Sequence, residues 1–176
     1  MKRAVFLDRD GVLAEAIVRD NRAVAPTRLE DFVLVPEAGE QVARLRAARL
    51  VCLVFTNQPE IARGLLDRAV LDMMHERLRE AVPVDDVLVC PHDPTDDCAC
   101  HKPKVGMLLD AAERYELDLA QSFVIGDRWR DVDAGRAAGC YSILIDRPYS
   151  ACRTADACAA DLAGAVDLVL ARVGEA

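Results

Sequence analysis

The chain has 176 residues, of which 52% are hydrophobic and 30% charged, and its formal net charge is −8. This length and composition predict a single globular domain, residues 1–176, with a sizeable core. The acidic balance argues against a nucleic-acid partner, because proteins that bind nucleic acids usually carry a basic face. No apolar window is long enough to span a membrane, and the N-terminus does not resemble a signal peptide, so we expect a cytoplasmic chain.

Short apolar runs alternate with amphipathic segments along the chain. In chain order, the predicted strands are Ala4–Leu7, Val51–Phe55, Val84–Cys90, Ser122–Ile125 and Tyr141–Ile145. The predicted helices are Glu37–Arg49, Asp67–Val82, Gly106–Glu116 and Asp131–Ala138. The strands are rich in Val, Ile and Leu, as strands buried on both faces are. Strand–helix alternation therefore predicts an α/β fold with a mostly parallel central sheet.

Two segments interrupt this alternation, and a third follows it. Residues 14–35 are predicted to form an irregular flap, and residues 90–100 a polar loop rich in cysteine and histidine. Neither is long enough for a separate cap domain. The Ala-rich tail from Ser150 onward, with Cys152 and Cys158, carries no pattern that assigns it a role. An odd total of seven cysteines without a secretion signal argues against a disulfide framework.

Polar side chains follow three of the predicted strands. Asp8 and Asp10 come after the first, Thr56-Asn57-Gln58 after the second, and Asp127 after the fourth. In parallel sheets, ligands bind outside the carboxyl ends of the strands, so these clusters should meet at one edge. Three carboxylates there make an oxygen-rich site that suits Mg²⁺.

Each of these local signals is weak when taken alone. Asp8 and Asp10 could be solvated residues at a strand end, and a lone lysine such as Lys102 is usually solvated as well. Their ordered occurrence with a threonine hydroxyl and a third carboxylate is far less common. A metal, a hydroxyl and an ammonium directed at one point describe a site that binds a phosphoryl group.

The polar loop at 90–100 carries a second candidate metal site. Cys90, His92, Cys98 and Cys100 supply three thiolates and one imidazole within eleven residues. Such a set matches the closed, four-ligand geometry of structural Zn²⁺. The alternative is a loop with incidental cysteines. A bound zinc would fold a loop too polar to fold by itself and would hold His101 and Lys102 toward the sheet edge.

Four ordered motifs resemble those of the haloacid dehalogenase (HAD) superfamily of aspartate-nucleophile phosphatases. They are FLDRDGVL, VFTNQ, HKPK and VIGDRWRDVDAG, and the resemblance extends from about Ala4 to Ile145. It implies a Rossmann-like three-layer sandwich without a cap domain, and Mg²⁺-dependent hydrolysis of a phosphomonoester.

The resemblance also implies a role for individual residues. Asp8 would be the nucleophile and would form an aspartyl-phosphate, and Asp10 would act as general acid and base. Mg²⁺ would be held by the Asp8 carboxylate, the Asp10 carbonyl and the Asp127 carboxylate, with Asp131 in support. The residues expected to contact phosphate or substrate are Thr56, Asn57, Gln58, His101, Lys102 and Arg128, with Lys104 as a weaker alternative to Lys102.

The zinc loop narrows the resemblance to a small branch without caps. That branch includes D-glycero-D-manno-heptose 1,7-bisphosphate phosphatase and histidinol-phosphate phosphatase, and TNQPEIARG and GMLLDAAERYELDL look more like the heptose side. We therefore expect a small phosphorylated sugar as substrate, histidinol phosphate as the alternative, and a monomer. A zinc-organised binding module without catalysis is the alternative from a different class.

Overall fold

The computed structural model describes residues 1–150 and 154–174, and a parallel β-sheet forms its centre. The described strands are, in chain order, β1 (Ala4–Leu7), β2 (Ile17–Arg19), β3 (Arg22–Val24), β4 (Val51–Asn57), β5 (Asp86–Cys90), β6 (Phe123–Gly126), β7 (Tyr141–Ile145) and β8 (Ala157–Ala159). Six of them form the central sheet in the spatial order β5-β4-β1-β6-β7-β8, and every neighbouring pair is parallel. β1 therefore lies in the interior of the sheet, between β4 and β6.

Helices cover both faces of this sheet. They are α1 (Ala38–Ala47), α2 (Arg68–Ala81), α3 (Gly106–Tyr115), α4 (Trp129–Ala137) and α5 (Leu162–Gly174). One apolar cluster joins α1, α2 and α5 to Val5 and Leu7 of β1. A second joins α3 and α4 to Ala4 and Phe6, which alternate with them along the strand. The predicted three-layer α/β sandwich is thus confirmed.

The predicted elements are present, with boundaries that differ by a few residues. β4 continues two residues beyond the prediction, so Thr56 lies within the strand rather than after it. α4 begins at Trp129, two residues early, because the Asp131 carboxylate accepts a hydrogen bond from the backbone N–H of Arg128 at 3.0 Å and caps the helix start.

The flap at residues 14–35 is more regular than predicted. β2 and β3 form a two-stranded antiparallel hairpin within it, and their turn residues Asp20 and Asn21 both have positive φ angles, 49° and 58°. Such a pair is typical of the tight turns that match the twist of a hairpin. The three-residue strands are too short to give a clear alternation in the sequence. The flap then returns to the core through Phe32, which is buried.

The tail holds two elements that the sequence analysis did not assign. β8 adds a parallel strand beside β7, and α5 buries Leu162, Ala165, Val166 and Val169 against the core. That spacing of i, i+3, i+4 and i+7 is a helical signal that could have been found. Cys158 is an exposed residue of β8, whereas Cys152 lies outside the described residues.

Within the described part of the chain, the segments outside the sandwich are loops, turns and the β2–β3 hairpin, and no cap domain is formed. No helix there is long and apolar enough to cross a membrane.

Candidate active site

The carboxyl end of β1 opens into the candidate site. Asp8 continues the sheet, because its backbone N–H donates to the carbonyl of Ile125 in β6 at 2.9 Å. Its carboxylate oxygen Oδ1 accepts hydrogen bonds from the backbone N–H of Arg9 at 2.8 Å and from Nζ of Lys102 at 2.9 Å. Among the described residues both donors reach Oδ1, which leaves Oδ2 available to a ligand.

Three buried carboxylates meet at this edge, but they are Asp8, Asp127 and Asp131 rather than the predicted Asp8, Asp10 and Asp127. One oxygen from each of Asp8, Asp127 and Asp131 lies within 4.8 Å of the others. Burial, together with the charges of Asp8 and Asp131, raises the pKa of Asp127 to about 7. Asp127 Oδ1 has no hydrogen-bond partner among the described residues. A divalent cation would relieve this concentration of negative charge, so the donor set fits a hard cation such as Mg²⁺.

Lys102 lies between two of these carboxylates. Its Nζ is 2.9 Å from Asp8 Oδ1 and 2.6 Å from Asp131 Oδ1, and it also donates to the carbonyl of Phe55 at 2.9 Å. Burial opposes the ammonium charge, but Asp131 and Asp8 outweigh it and raise the pKa of Lys102. Lys102 therefore stays protonated at the edge where the sequence places it.

Asp127 has a further partner that the sequence analysis missed. The hydroxyl of Tyr149, in the loop after β7, donates to Asp127 Oδ2 at 2.7 Å. Gly11 makes room for this pair: it has a φ of +91°, and a Cβ there would lie 2.0 Å from Asp127 Oδ2 and 2.9 Å from the Tyr149 oxygen. Tyr149 comes from the loop just before the tail, where no motif marks it.

Asp10 lies beside Asp8, and hydrogen bonds from Arg9 and Gln58 fix its carboxylate. Arg9 donates to both of its carboxylate oxygens, from Nε at 3.0 Å and from Nη2 at 2.8 Å. The amide of Gln58 donates to Asp10 Oδ2 at 3.0 Å and to Thr56 Oγ1 at 2.9 Å. Gln58 is fully buried and does not line the cleft, although we expected it to contact substrate. Arg9 was not singled out from the sequence.

Thr56 and Asn57 at the end of β4 complete the inner wall. Thr56 lines the cleft next to Asp8 and Asp10. The side chain of Asn57 accepts from the backbone N–H of Lys102 at 3.0 Å and donates to its carbonyl at 3.2 Å. Asn57 thus fixes the backbone of Lys102, in addition to lining the cleft.

The cleft itself has a volume of about 360 Å³ and a positively charged rim. Arg128 lines it, and its Nε lies 3.8 Å from Asp127 Oδ1. Further guanidinium groups come from Arg22 on β3, Arg63 and Arg130. The sequence analysis did not select Arg22, because the hairpin that carries it was not predicted.

The Cys/His cluster assembles as predicted. One ligand atom from each of Cys90, His92, Cys98 and Cys100 lies within 4.8 Å of the others. The Sγ atoms of Cys90 and Cys98 are 3.8 Å apart, and Nδ1 of His92 is 3.7 Å from Cys90 Sγ and 3.3 Å from Cys100 Sγ. Thiolates bound tetrahedrally at 2.3 Å from one zinc would lie about 3.8 Å apart, so the cluster fits this metal.

The residues after this cluster face different directions. Nδ1–H of His101 donates to the carbonyl of His92 at 3.1 Å, and its Nε2 is buried without a hydrogen-bond partner among the described residues. Burial lowers the pKa of His101, which favours the neutral ring, and His101 lines the cleft. Lys104 instead contacts Asp97 and the carbonyl of Cys98, so it braces the loop and leaves the cleft to Lys102.

Comparisons with known proteins agree with this geometry. A HAD-hydrolase-like family model matches residues 99–175. The D-glycero-beta-D-manno-heptose-1,7-bisphosphate 7-phosphatase of Pseudomonas aeruginosa is 42% identical over 146 residues, which cover 80% of this chain and 79% of that protein. A D-glycero-D-manno-heptose-1,7-bisphosphate 7-phosphatase of Thermosynechococcus vestitus is 35% identical, with 94% of each chain covered.

A solved structure extends the likeness to the whole chain. The crystal structure of D,D-heptose 1,7-bisphosphate phosphatase from B. bronchiseptica, complexed with magnesium and phosphate, has a TM-score of 0.82 at 33% identity and covers 100% of both chains. The parallel sheet and its flanking helices have the fold of the HAD-like hydrolases. Within that class, the chain belongs to the family of D-glycero-D-manno-heptose 1,7-bisphosphate 7-phosphatases.

Proposed function

We propose that this chain is a Mg²⁺-dependent phosphatase that removes one phosphate of D-glycero-D-manno-heptose 1,7-bisphosphate through an aspartyl-phosphate intermediate. The observation that carries this proposal is the placement of Asp8. Its carboxylate is fixed through Oδ1 by Arg9 N–H and by Lys102, with Oδ2 left available, in a cleft that also contains Asp10 and Thr56. A fixed carboxylate beside a protonatable partner is the arrangement that nucleophilic catalysis requires.

The reaction has two steps, which reuse the same two carboxylates. In the first, Asp8 Oδ2 bonds to phosphorus while the bond from phosphorus to the sugar oxygen breaks. The released electron pair stays on the sugar oxygen, which takes a proton from Asp10. In the second, Asp10 removes a proton from water, the water oxygen attacks phosphorus, and the carboxylate of Asp8 leaves as phosphate is freed.

The donor set of the carboxylate cluster supports Mg²⁺ as the cofactor. Asp8 and Asp127 would hold it with their carboxylates and Asp10 with its backbone carbonyl, while Asp131, which contacts Lys102, would support this set. When bound, Mg²⁺ neutralises charge on the phosphoryl oxygens and so favours attack by an anionic carboxylate. Lys102 and the hydroxyl of Thr56 add a cation and a hydrogen-bond donor on the protein side.

Two features support a bisphosphorylated sugar as the substrate. The similar phosphatases of Pseudomonas aeruginosa and Thermosynechococcus vestitus carry that substrate in their names. The rim also holds Arg22 and Arg130 in addition to Arg128, which is more positive charge than a single phosphate needs, whereas Arg63 is paired with Asp93.

The Cys/His cluster is proposed to hold a structural Zn²⁺. Three thiolates and one imidazole close the coordination shell and leave no position for a substrate, so the metal would stabilise the loop and with it Lys102. We further propose that the chain works as a monomeric single domain in the cytoplasm.

The decisive experiment is release of inorganic phosphate from the heptose bisphosphate by wild type, Asp8→Asn and Asp72→Asn. Asp72 is an exposed residue of α2 outside the cleft, so Asp72→Asn is a matched control. We expect Asp8→Asn to lower the rate by about 1,000-fold or more, because no other group can form the phosphoenzyme. Retained Mg²⁺-dependent turnover in Asp8→Asn would refute the mechanism, and a higher kcat/KM on histidinol phosphate would reassign the substrate.

A further inference from the structure

Arg9 is a charged residue in a place where charge is costly. It is the largest fully buried side chain described, with 0% of its surface exposed. It lies between the two reacting aspartates in sequence, yet its side chain points away from the cleft and does not line it. Replacing a buried ion pair by apolar groups is often neutral or even stabilising, so stability alone does not account for this arginine.

The contacts of Arg9 fix its guanidinium on every side. Nε and Nη2 form the two-pronged contact with Asp10, and Nη1 is 3.2 Å from Nε2 of His75 on α2. The guanidinium carbon lies 5.2 Å from the ring centroid of Phe32, in the flap. The backbone carbonyl of Arg9 also accepts hydrogen bonds from Leu13 and Ala14. Arg9 therefore cannot shift without moving α2 or the flap.

This arrangement restricts Asp10 to one orientation. Two parallel charge-assisted hydrogen bonds define the plane of the carboxylate, which a single bond would not. Gln58 adds a third bond to Asp10 and, through its bond to Thr56, ties that orientation to the wall of the cleft. The carboxylate keeps further lone-pair positions for a proton on the cleft side.

We propose that Arg9 is a positioning residue for the protonation of the leaving oxygen. Its guanidinium holds both oxygens of Asp10 and stabilises the carboxylate that remains after Asp10 has given its proton to the sugar oxygen. This inference rests on the proposed phosphatase function. It predicts a defect confined to substrates whose leaving group needs a proton.

The experiment compares a sugar phosphate with p-nitrophenyl phosphate, whose phenolate leaves without protonation. In Arg9→Met we expect kcat on the sugar phosphate to fall by about 30-fold or more, while kcat on the aryl ester falls by less than about 3-fold. KM for the sugar phosphate should stay within about 2-fold of wild type. Arg9→Lys keeps the positive charge but cannot contact both oxygens of Asp10 at once. Its kcat on the sugar phosphate should lie between those of wild type and Arg9→Met.

Two further variants calibrate the result. Asp10→Asn should show the same selectivity for leaving group as Arg9→Met, because both affect one step. Arg77 on α2 donates to the carbonyls of Leu29 and Phe32 and so braces the same helix and flap without touching Asp10. Arg77→Met should leave the ratio of the two rates unchanged.

The possible outcomes separate this inference from the proposed function. If Arg9→Met or Arg9→Lys loses both activities equally, or raises KM while kcat is kept, Arg9 has only a structural role and the inference is overturned. If Arg9→Met does not fold, Arg9→Lys alone decides by the same ratio. A wild type that releases phosphate from neither compound refutes the phosphatase function itself. The kcat and KM values on the sugar phosphate measure the effect of each Arg9 variant independently of the aryl ester.

Discussion

The buried histidine of α2 should make wild type lose more stability in mild acid than a variant without that histidine. His75 is 4% exposed, and its Nε2 faces the guanidinium of Arg9 at 3.2 Å, so this nitrogen must accept a hydrogen bond and the ring must be neutral. Burial, followed by the charge of Arg9, lowers the pKa of His75 from 6.5 to about 3. The unfolded chain therefore binds a proton near pH 6.5 that the folded chain refuses until about pH 3.

The sign and size of the effect follow from this difference. Because the unfolded state binds more protons between these two values, stability falls as the pH is lowered through this window. Between pH 7 and pH 5 a single group with these pKa values lowers the free energy of unfolding by about 2 kcal/mol. His75→Gln has no proton to gain, so it should lose about 2 kcal/mol less than wild type over the same interval.

The assay is urea unfolding of both proteins at pH 7 and pH 5. The comparison is a double difference, in which other titrating groups cancel. Equal changes in wild type and His75→Gln would refute the reasoning. The net change of the wild type alone is not the test, because Asp127, whose pKa burial and its neighbours raise to about 7, adds stability over the same interval. A variant that is unstable at both pH values still gives the double difference, provided that its transitions are measurable.

Two further predictions concern the metal sites. Wild type purified under reducing conditions should contain one zinc per chain. Cys98→Ser should bind zinc less tightly, melt about 5 °C lower and have a higher KM at similar kcat. The control Cys158→Ser, at an exposed position of β8, should match wild type. A zinc-free wild type would contradict the assignment. Tyr149→Phe should weaken Mg²⁺ binding, measured by calorimetric titration of the metal alone, by about tenfold, because Asp127 loses the donor that orients it. An unchanged affinity would mean that Tyr149 does not orient Asp127.

Most of the sheet and the inner site could be predicted because their signals are local. The β1 run is fully buried and is followed at once by its carboxylates, and the strand-end rule brings Asp8 and Asp127 together without any knowledge of the loops. The cysteine spacing likewise defines the Cys/His cluster. In each case, residue type and position along one element were sufficient.

The remaining site residues depend on contacts between distant segments. Arg9 reads as a solvated charge in the sequence, and only the packing of Phe32 and His75 around it shows that it points inward. Tyr149 reaches Asp127 across 22 positions, from a region with no periodic pattern. Arg22 belongs to a hairpin too short to be recognised by alternation. We expected Gln58 in the cleft, and this was wrong. The strand-end rule locates the residues that follow a strand but does not say in which direction their side chains point.

The two clusters of metal-binding side chains also differ in the length of chain that separates their members. This separation affects how easily each cluster can form during folding. The Cys/His residues lie within eleven positions, so closing that loop costs little entropy, and the ligands can gather before the sheet exists. Asp8 and Asp127 come together only after β6 has paired with β1. We therefore expect a chain that unfolds only partly to lose its carboxylate site before its thiolate site.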